Sequence, residues 1–118
     1  MNVQKESINW DALSKLENLR PVIDSHDIKG SKNCLIDLIH WNALRKHLQG
    51  STNVLDFGCG IGRFAKRFDS LGIDYIGIDP SAGMLQKAID LNGSKHFKHF
   101  DGVKIPFSSA SFDTFIVS

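Results

Sequence analysis

The chain has 118 residues, of which 42% are apolar and 23% charged, and its net charge at neutral pH is +1. These values are typical of one globular domain with a core of its own. They exclude the strongly basic surface expected of a nucleic-acid-binding protein, and no apolar run is long enough to span a membrane.

Residues 1–50 are predicted to form a helical segment ahead of the main fold. A first helix is expected over about Asn9–Leu19 and ends there because Pro21 disfavours helical backbone at the residue before it. The polar stretch Val22–Lys32 is predicted to connect this helix to the next one.

A second helix is predicted over Cys34–Gln49, with Asn33 as its N-cap and Gly50 as its C-cap. Its apolar residues recur at helical spacing and predict one broad packing face, made of Leu35, Leu38, Ile39, Trp41, Leu44 and Leu48. Core packing is the simpler interpretation of most of these side chains. A pocket lined by Trp10, Trp41 and Lys32 is the alternative.

A buried strand, a glycine loop and the start of a helix are predicted between Asn53 and Phe64. The strand ends on Asp56, and glycines follow at Gly58, Gly60 and Gly62. Glycine adopts positive φ at little cost, and without a Cβ it lets a ligand approach the backbone closely. The following helix offers free N–H groups and the positive end of its dipole. Asp56 is placed to complement a ligand ammonium group, directly or through water.

Phosphate binding is the natural competitor for such a loop. A dinucleotide-binding loop needs Gly-x-Gly-x-x-Gly, but the third glycine position here is Arg63, which disfavours a nicotinamide-binding enzyme. The Gly-Lys-Ser/Thr of a P-loop is also absent. A tight turn that binds no ligand is the remaining alternative.

Two more helices are predicted by their apolar stripes. The helix after the loop is expected to pack through Phe64, Ala65, Phe68 and Leu71, with Arg63, Lys66 and Arg67 on a solvated face. The next helix is expected to pack through Met84, Leu85, Ala88 and Ile89, and to end at Asn92-Gly93.

A second strand, Tyr75–Ile78, is predicted between these helices and ends at Asp79. Asp79 follows Gly60 by 19 residues, and an acid about 20 residues past a glycine loop is placed to bind ribose hydroxyls. The alternative is that Asp79 caps the next helix, with Pro80 in its first turn.

Two further strands are predicted in the last part of the chain. Phe97–Phe100 is followed by Asp101-Gly102, a dipeptide that favours an ordinary turn. The fourth strand is predicted within Ser111–Ser118, with Asp113 in a structural role near its start. Alternating strands and helices predict βαβ units and a parallel sheet, so Asp56, Asp79 and Asp101 should converge at the carboxyl ends of three strands.

The pattern Asp56-x-Gly58-x-Gly60-x-Gly62 resembles the first motif of class I S-adenosylmethionine-dependent methyltransferases. The segment Leu55–Gly60 is most similar to the small-molecule branch, including the ubiquinone and menaquinone C-methyltransferases. The resemblance runs from Val54 to Ser118. It implies an α/β, Rossmann-like fold with a partial parallel sheet in the order 3-2-1-4. Residues 1–50 would supply N-terminal helices, and residues 51–118 the S-adenosylmethionine-binding core.

The resemblance also implies roles for individual residues. The glycine loop would hold the amino-acid end of S-adenosylmethionine, Asp79 the ribose, and Asp101 with the backbone N–H of Gly102 the adenine. The candidate cofactor-binding residues are Asp56, Gly58, Cys59, Gly60, Gly62, Asp79, Pro80, Met84, Asp101 and Gly102. Cys59 is expected to pack under the ligand rather than act as a nucleophile. No catalytic residue is assigned, and the histidines have no metal-ligand spacing.

The family's sheet continues after its fourth strand, so we expect this chain to be a fragment of a longer enzyme. Its second half would carry the acceptor pocket and any catalytic base; a completing partner chain is the alternative. The apolar fourth strand would otherwise be an uncovered edge, through which the chain could self-associate.

The predicted function is methyl transfer from S-adenosylmethionine to a small-molecule acceptor, with this chain as the cofactor-binding N-terminal half. A non-catalytic module that binds the cofactor or a partner chain is the alternative. Two cysteines, Cys34 and Cys59, suit a reducing cytoplasm, and residues 1–6 lack the apolar core of a signal peptide.

Overall fold

The computed structural model describes residues 8–108 and 111–117. Its elements, in chain order, are α1 (Trp10–Leu13), α2 (Ser31–Arg45), β1 (Asn53–Phe57), α3 (Ala65–Ser70), β2 (Asp74–Asp79), α4 (Ala82–Asn92), a short 3-10 turn (Ser94–His96), β3 (Phe97–His99) and β4 (Thr114–Val117). The predicted end of the fourth strand, Ser118, lies outside the described residues.

The four strands form one parallel sheet in the order β3-β2-β1-β4, as predicted. Phe57 at the end of β1 is in register with Ile78 of β2 and Val117 of β4. Because parallel strands end at the same edge, the loop after β1 and the start of α4 after β2 lie side by side. That edge of the sheet is where the candidate site forms.

An aromatic core fills one face of the sheet. The Trp41 ring of α2 lies 5.7 Å from the Phe64 ring and 5.4 Å from the Phe68 ring, and Phe68 stacks on Tyr75 of β2 at 5.2 Å. The predicted packing of Phe64, Ala65 and Phe68 is confirmed. Leu71, which was predicted to share this packing face, is exposed and is the C-cap of α3.

The other face of the sheet carries a smaller cluster, made of Leu55, Ile78 and Phe100 with the partly buried Phe57, Ile76, Phe107 and Phe112. At the opposite end of the sheet, Asp113 ties the start of β4 to the start of β1. Its carboxylate accepts hydrogen bonds from the Thr52 N–H at 2.8 Å and the Thr52 hydroxyl at 2.6 Å. These bonds lower the pKa of Asp113 to about 2.

The first helix is much shorter than the predicted Asn9–Leu19. Asn9 caps α1 by accepting a hydrogen bond from the Ala12 N–H, but the helix ends after one turn. The Ser14 hydroxyl donates to the Asp11 carbonyl at 2.6 Å, a local bond that competes with helix continuation. Further on, Asn18 adopts a φ of 55°, which a helix does not allow.

The caps of α2 also differ from prediction. Its N-cap is Gly30, at a φ of 83°, and not Asn33, which lies inside the first turn. The Asp27 carboxylate performs the capping from a distance, accepting from the Gly30 N–H at 3.2 Å and the Asn33 N–H at 2.8 Å. The helix ends at Arg45 with Lys46 as its C-cap, before the predicted cap Gly50.

The packing face predicted for α2 is wrong in its central part. Leu35, Leu38 and Ile39 are 59%, 48% and 57% exposed. The side chains that face inward lie four residues apart and are Asn33, Asp37 and Trp41. The helix is therefore rotated relative to its apolar pattern.

Charge pairing accounts for this rotation. The Asp37 carboxylate bonds Arg63 at 3.0 Å and Arg67 at 2.8 Å. The two arginines were predicted to lie on a solvated face, but both point to α2, and the Arg63 side chain is only 12% exposed. With Asp37 directed at α3, Trp41 enters the aromatic core one turn later.

Candidate cofactor-binding site

The glycine loop between β1 and α3 has the backbone predicted for it. Gly58, Gly60 and Gly62 have φ values of 71°, 56° and 69°. A Cβ on Gly60 would lie 2.9 Å from the Val22 side chain, whereas one on Gly58 would meet nothing within 4 Å. The loop is therefore in close contact with Val22 at Gly60 and has open space at Gly58.

Hydrogen bonds tie this loop to the end of β2. The N–H groups of Gly58 and Cys59 donate to the Ile78 carbonyl at 2.9 and 3.1 Å. The Gly60 N–H donates to the Asp79 carboxylate at 2.9 Å. The two strand ends thus form one continuous rim.

Asp79 is buried at the centre of that rim. One carboxylate oxygen holds Gly60, and the other accepts from the Ser81 N–H at 2.8 Å. Ser81 is the N-cap of α4, because its hydroxyl accepts from the Met84 N–H at 3.2 Å. The helix-capping alternative for Asp79 is therefore wrong. A carboxylate has about four acceptor positions, so Asp79 can accept further bonds from a ligand.

A cavity of about 280 Å³ opens in front of this rim. Its walls include six of the predicted site residues: Gly58, Cys59, Gly60, Asp79, Pro80 and Met84. Three residues from elsewhere complete it: Trp10, Val22 and Arg63. The volume is near the lower end of the range of small-molecule sites, roughly 300–1,000 Å³.

Asp56 is not among the residues that line this cavity. Its side chain is 1% exposed and accepts a hydrogen bond from the Tyr75 hydroxyl at 2.6 Å. Gly77 leaves the room for this pair, since a Cβ there would lie 3.0 Å from the Tyr75 hydroxyl and 2.7 Å from the Cys59 Cβ. Asp56 therefore supports the loop from beneath, a role that the sequence did not indicate for Tyr75 or Gly77.

Burial raises the pKa of two groups under the loop, the Cys59 thiol and the Tyr75 hydroxyl. Desolvation, followed by the nearby charges of Asp56 and Asp79, raises the pKa of the Cys59 thiol. Desolvation and Asp56 likewise raise the pKa of Tyr75. Cys59 is therefore a neutral thiol near pH 7, which fits the packing role expected for it and not a nucleophile.

The remaining predicted residues lie outside the cavity. Gly62 lies against the Phe97 ring, because a Cβ on Gly62 would lie 2.4 Å from the nearest carbon of that ring. Asp101 is exposed, and its carboxylate accepts from the Lys104 and Val103 N–H groups at 2.8 Å, which lowers its pKa. A Cβ on Gly102 would lie 3.8 Å from the Pro80 Cβ, so the Asp101-Gly102 turn lies beside the rim.

Of the three residues proposed as an alternative pocket lining, only Trp10 lines this cavity. Trp41 is buried in the aromatic core, and Lys32 forms an exposed ion pair with Asp24 at 2.7 Å. Val22 could not be found from the sequence, because it reaches the loop only through the fold. The sequence could have indicated Arg63, because it directly follows Gly62 of the glycine loop. Within the part of the chain that the structure describes, no cluster of His, Cys, Asp and Glu could hold a metal ion.

No helix formed by residues 8–108 and 111–117 has the length and apolar character needed to cross a lipid bilayer.

A parallel sheet in this order, with a glycine loop after β1 and a buried acid ending β2, defines a Rossmann-like ligand-binding domain. Residues 55–118 match the family described as a methyltransferase domain. The chain belongs to this family, and with it to the class I methyltransferases that use S-adenosylmethionine. The similarity to quinone C-methyltransferases stays a prediction.

Curated relatives match over part of their length. An uncharacterized methyltransferase of Mycobacterium sp. (strain JLS) is 28% identical over 66% of this chain and 31% of its own. A malonyl-[acyl-carrier protein] O-methyltransferase of Erwinia billingiae is 40% identical over 51% of this chain and 24% of its own. The chain thus spans about a third or less of the length of these relatives.

Solved structures agree with the fold. The PH0226 protein of Pyrococcus horikoshii OT3 superposes with a TM-score of 0.67 and 25% identity, over 84% of this chain and 49% of that protein. A Haloferax volcanii putative methyltransferase was solved in complex with the Trm112 methyltransferase activator. It has a TM-score of 0.60 and 22% identity, over 95% of this chain and 47% of that protein. The second likeness concerns the fold alone.

Proposed function

We propose that this chain is the cofactor-binding part of an S-adenosylmethionine-dependent methyltransferase that acts on a small molecule. The observation that carries the proposal is the cavity in which the open backbone at Gly58 meets the buried carboxylate of Asp79. Membership of the methyltransferase family supports the cofactor. In this proposal residues 51–118 form the cofactor-binding core, and residues 1–50 form a helical segment beside it.

The cavity offers groups that fit the parts of this cofactor. Asp79 has acceptor positions for ribose hydroxyls, and Pro80 and Met84 provide apolar walls for the adenosine. Gly58 leaves room for close approach to the backbone. Arg63 also lines the cavity, and its guanidinium, which pairs with Asp37 at 3.0 Å, would in this proposal also complement the carboxylate of the amino-acid end. Asp101 and Gly102, beside Pro80, remain our candidates for the adenine edge.

S-adenosylmethionine, when bound, supplies a methyl group on a sulfonium that a nucleophile displaces in line. The residues of this chain contribute binding, orientation and the exclusion of water from that reaction. The acceptor atom stays open among oxygen, nitrogen, carbon and sulfur. The relatives named malonyl-[acyl-carrier protein] O-methyltransferase make an oxygen acceptor the first to test.

Calorimetric titration of the complete gene product with S-adenosylhomocysteine, with NAD as the control ligand, tests the cofactor. Binding of the first ligand alone supports the proposal, and a folded protein that binds neither would overturn it.

Asp79→Ala is expected to weaken S-adenosylhomocysteine binding by about 1–3 kcal/mol, because the hydrogen bonds to the ribose are lost. Unchanged affinity in this variant would remove the ribose assignment.

Transfer of a labelled methyl group to acceptors in a metabolite extract then separates an enzyme from a binding module. Labelled small-molecule product supports the methyltransferase. Tight cofactor binding without any labelled product would favour the non-catalytic module, which would bind the cofactor in the same cavity.

We also propose self-association through β4 and a cytoplasmic location. Within the described residues β4 pairs only with β1, and Phe115 and Val117 are exposed. Such an edge readily accepts another strand. Sedimentation analysis of the 118-residue chain should show a mass that rises with concentration, and Val117→Lys should abolish the rise. The thiols of Cys34 and Cys59 are both free, as suits a reducing compartment, which imaging of a tagged protein in its source cell would check.

A further inference from the structure

The single turn α1 brings an aromatic side chain into the wall of the cavity. Trp10 lines it together with Asp79, Pro80 and Met84, and its side chain is 43% exposed. A helix of four residues is not stable by itself in water. Contacts with the rest of the protein must therefore hold Trp10 in this position.

Those contacts come from the start of α4. The Asp11 carboxylate accepts a hydrogen bond from the Ser81 hydroxyl at 2.5 Å and another from the Gly83 N–H at 2.8 Å. These two bonds lower the pKa of Asp11. The Lys87 ammonium donates to the Leu16 carbonyl one turn further along α4. The segment from Asp11 to Leu16 is thus fixed to α4 at both ends.

Gly83 shows that the fit is close. A Cβ at this position would lie 2.6 Å from the Ser14 hydroxyl and 3.1 Å from the Asp11 Cα. The second of these atoms is backbone and cannot move aside without shifting α1. Gly83 has no other feature that requires glycine, since its backbone is helical. Its lack of a side chain lets α1 approach α4.

We propose that Trp10 is a cofactor-contact residue that closes the cavity over the adenosine end, and that Asp11 is the positioning residue that holds it there. The inference rests on the proposed function and adds two residues to it. Trp10 lines the same cavity as Asp79 and Pro80. The adenosine end is indicated because the two residues that anchor α1, Ser81 and Gly83, lie at the start of α4, within four residues of Asp79. An indole face is well suited to stack on a purine.

Two ligands and two variants of Trp10 test the contact. S-adenosylhomocysteine and 5′-methylthioadenosine share the adenosine and differ in the amino-acid end. Trp10→Ala is expected to lower the affinity of the complete gene product for both ligands by the same factor, about tenfold, as for loss of one base-stacking side chain. Trp10→Phe, which keeps a ring, should recover most of that loss. Affinities within twofold of the wild type for Trp10→Ala would overturn the contact.

A double-mutant cycle tests the positioning role of Asp11. Asp11→Ala is expected to weaken both ligands about fivefold in the wild-type background and to have almost no effect in the Trp10→Ala background, because residues that act through one contact are not additive. Full additivity would overturn the role of Asp11. Asp24→Ala is the matched control, since it removes another aspartate of the N-terminal segment that pairs with exposed Lys32.

Gly83→Ala provides a third, independent perturbation, which should weaken both ligands by displacing α1. Melting curves of each variant check that the sheet remains folded. Failure of the proposed function looks different, since the wild-type protein would then not bind S-adenosylhomocysteine at all. A wild type that binds while all three variants match it would overturn only the present inference.

Discussion

The glycine loop and helix α2 lie next to each other in the fold, yet their sequences predict them very differently. In the loop, all three glycines adopt the positive φ that the motif predicts. In α2, three apolar residues of the predicted packing face are about half exposed, while Asn33 and Asp37 are buried. The loop is defined by local backbone chemistry, whereas the orientation of α2 is defined by partners distant in sequence.

The difference teaches where an apolar pattern loses its predictive value. A leucine stripe favours burial by the area it removes from water. An ionic contact can select another orientation, because a buried carboxylate must find its partners. Asp37 finds two arginines that follow the glycine loop. The loop and α2 are therefore coupled, and perturbing each in turn measures how strongly.

The largest effect is expected at Trp41. Trp41→Ala should lower the free energy of unfolding by about 3–5 kcal/mol, because a large ring is removed from a packed core. Leu38→Ala, in the same helix, should lower it by less than about 0.5 kcal/mol, since exposed side chains contribute little. Urea denaturation of both variants makes the comparison. Equal losses would mean that α2 packs through its leucines.

The next largest effect is expected at Gly62, and Gly50 serves as its control position. Both have positive φ, but only a Cβ at Gly62 meets another group, the Phe97 ring at 2.4 Å. Gly62→Ala should cost about 3 kcal/mol through backbone strain and overpacking together. Gly50→Ala should cost about 1–2 kcal/mol through strain alone. Denaturation measures both, and similar costs would show that the ring moves aside freely.

Removal of the charge that orients α2 should have a somewhat smaller effect. Asp37→Ala leaves Arg63 and Arg67 without their carboxylate and should cost about 2–3 kcal/mol, less than for a fully buried pair because Arg67 is partly solvated. Asp24→Ala breaks the exposed pair with Lys32 and should cost far less, because solvent screens that pair. Thermal denaturation at low and high salt compares them. A strong salt dependence of the Asp37→Ala loss would contradict its burial.

The smallest effect concerns pH and lies away from both regions. The pKa of Asp113 is lowered from 3.8 to about 2 in the folded chain, so its ionised form is favoured by folding. Its contribution to stability is complete above the unfolded pKa and is lost as the pH falls from about 4 to 2. The difference in melting temperature between the wild type and Asp113→Asn should therefore shrink over that interval. A constant difference would mean that Asp113 does not titrate with folding.

Much of the fold was predictable from the sequence, because its signals are local. Strand and helix alternation predicted a parallel sheet, the resemblance to class I methyltransferases implied its strand order, and the glycine spacing predicted the loop backbone. The sequence also named six residues of the cavity, including Asp79 and Met84. It could not find Val22, which meets Gly60 only after the N-terminal segment has folded back.

The sequence by itself determined the glycine loop, the parallel sheet and the acid at the end of β2, since each depends on residue type and spacing within one βα unit. Tertiary structure alone decided how α2 is turned and that α1 is a single turn. It also decided that Asp56 lies beneath the loop with Tyr75 and that Trp10 reaches the cavity. Those features depend on charged and hydrogen-bonded partners far apart in the chain, and no local pattern records such pairings.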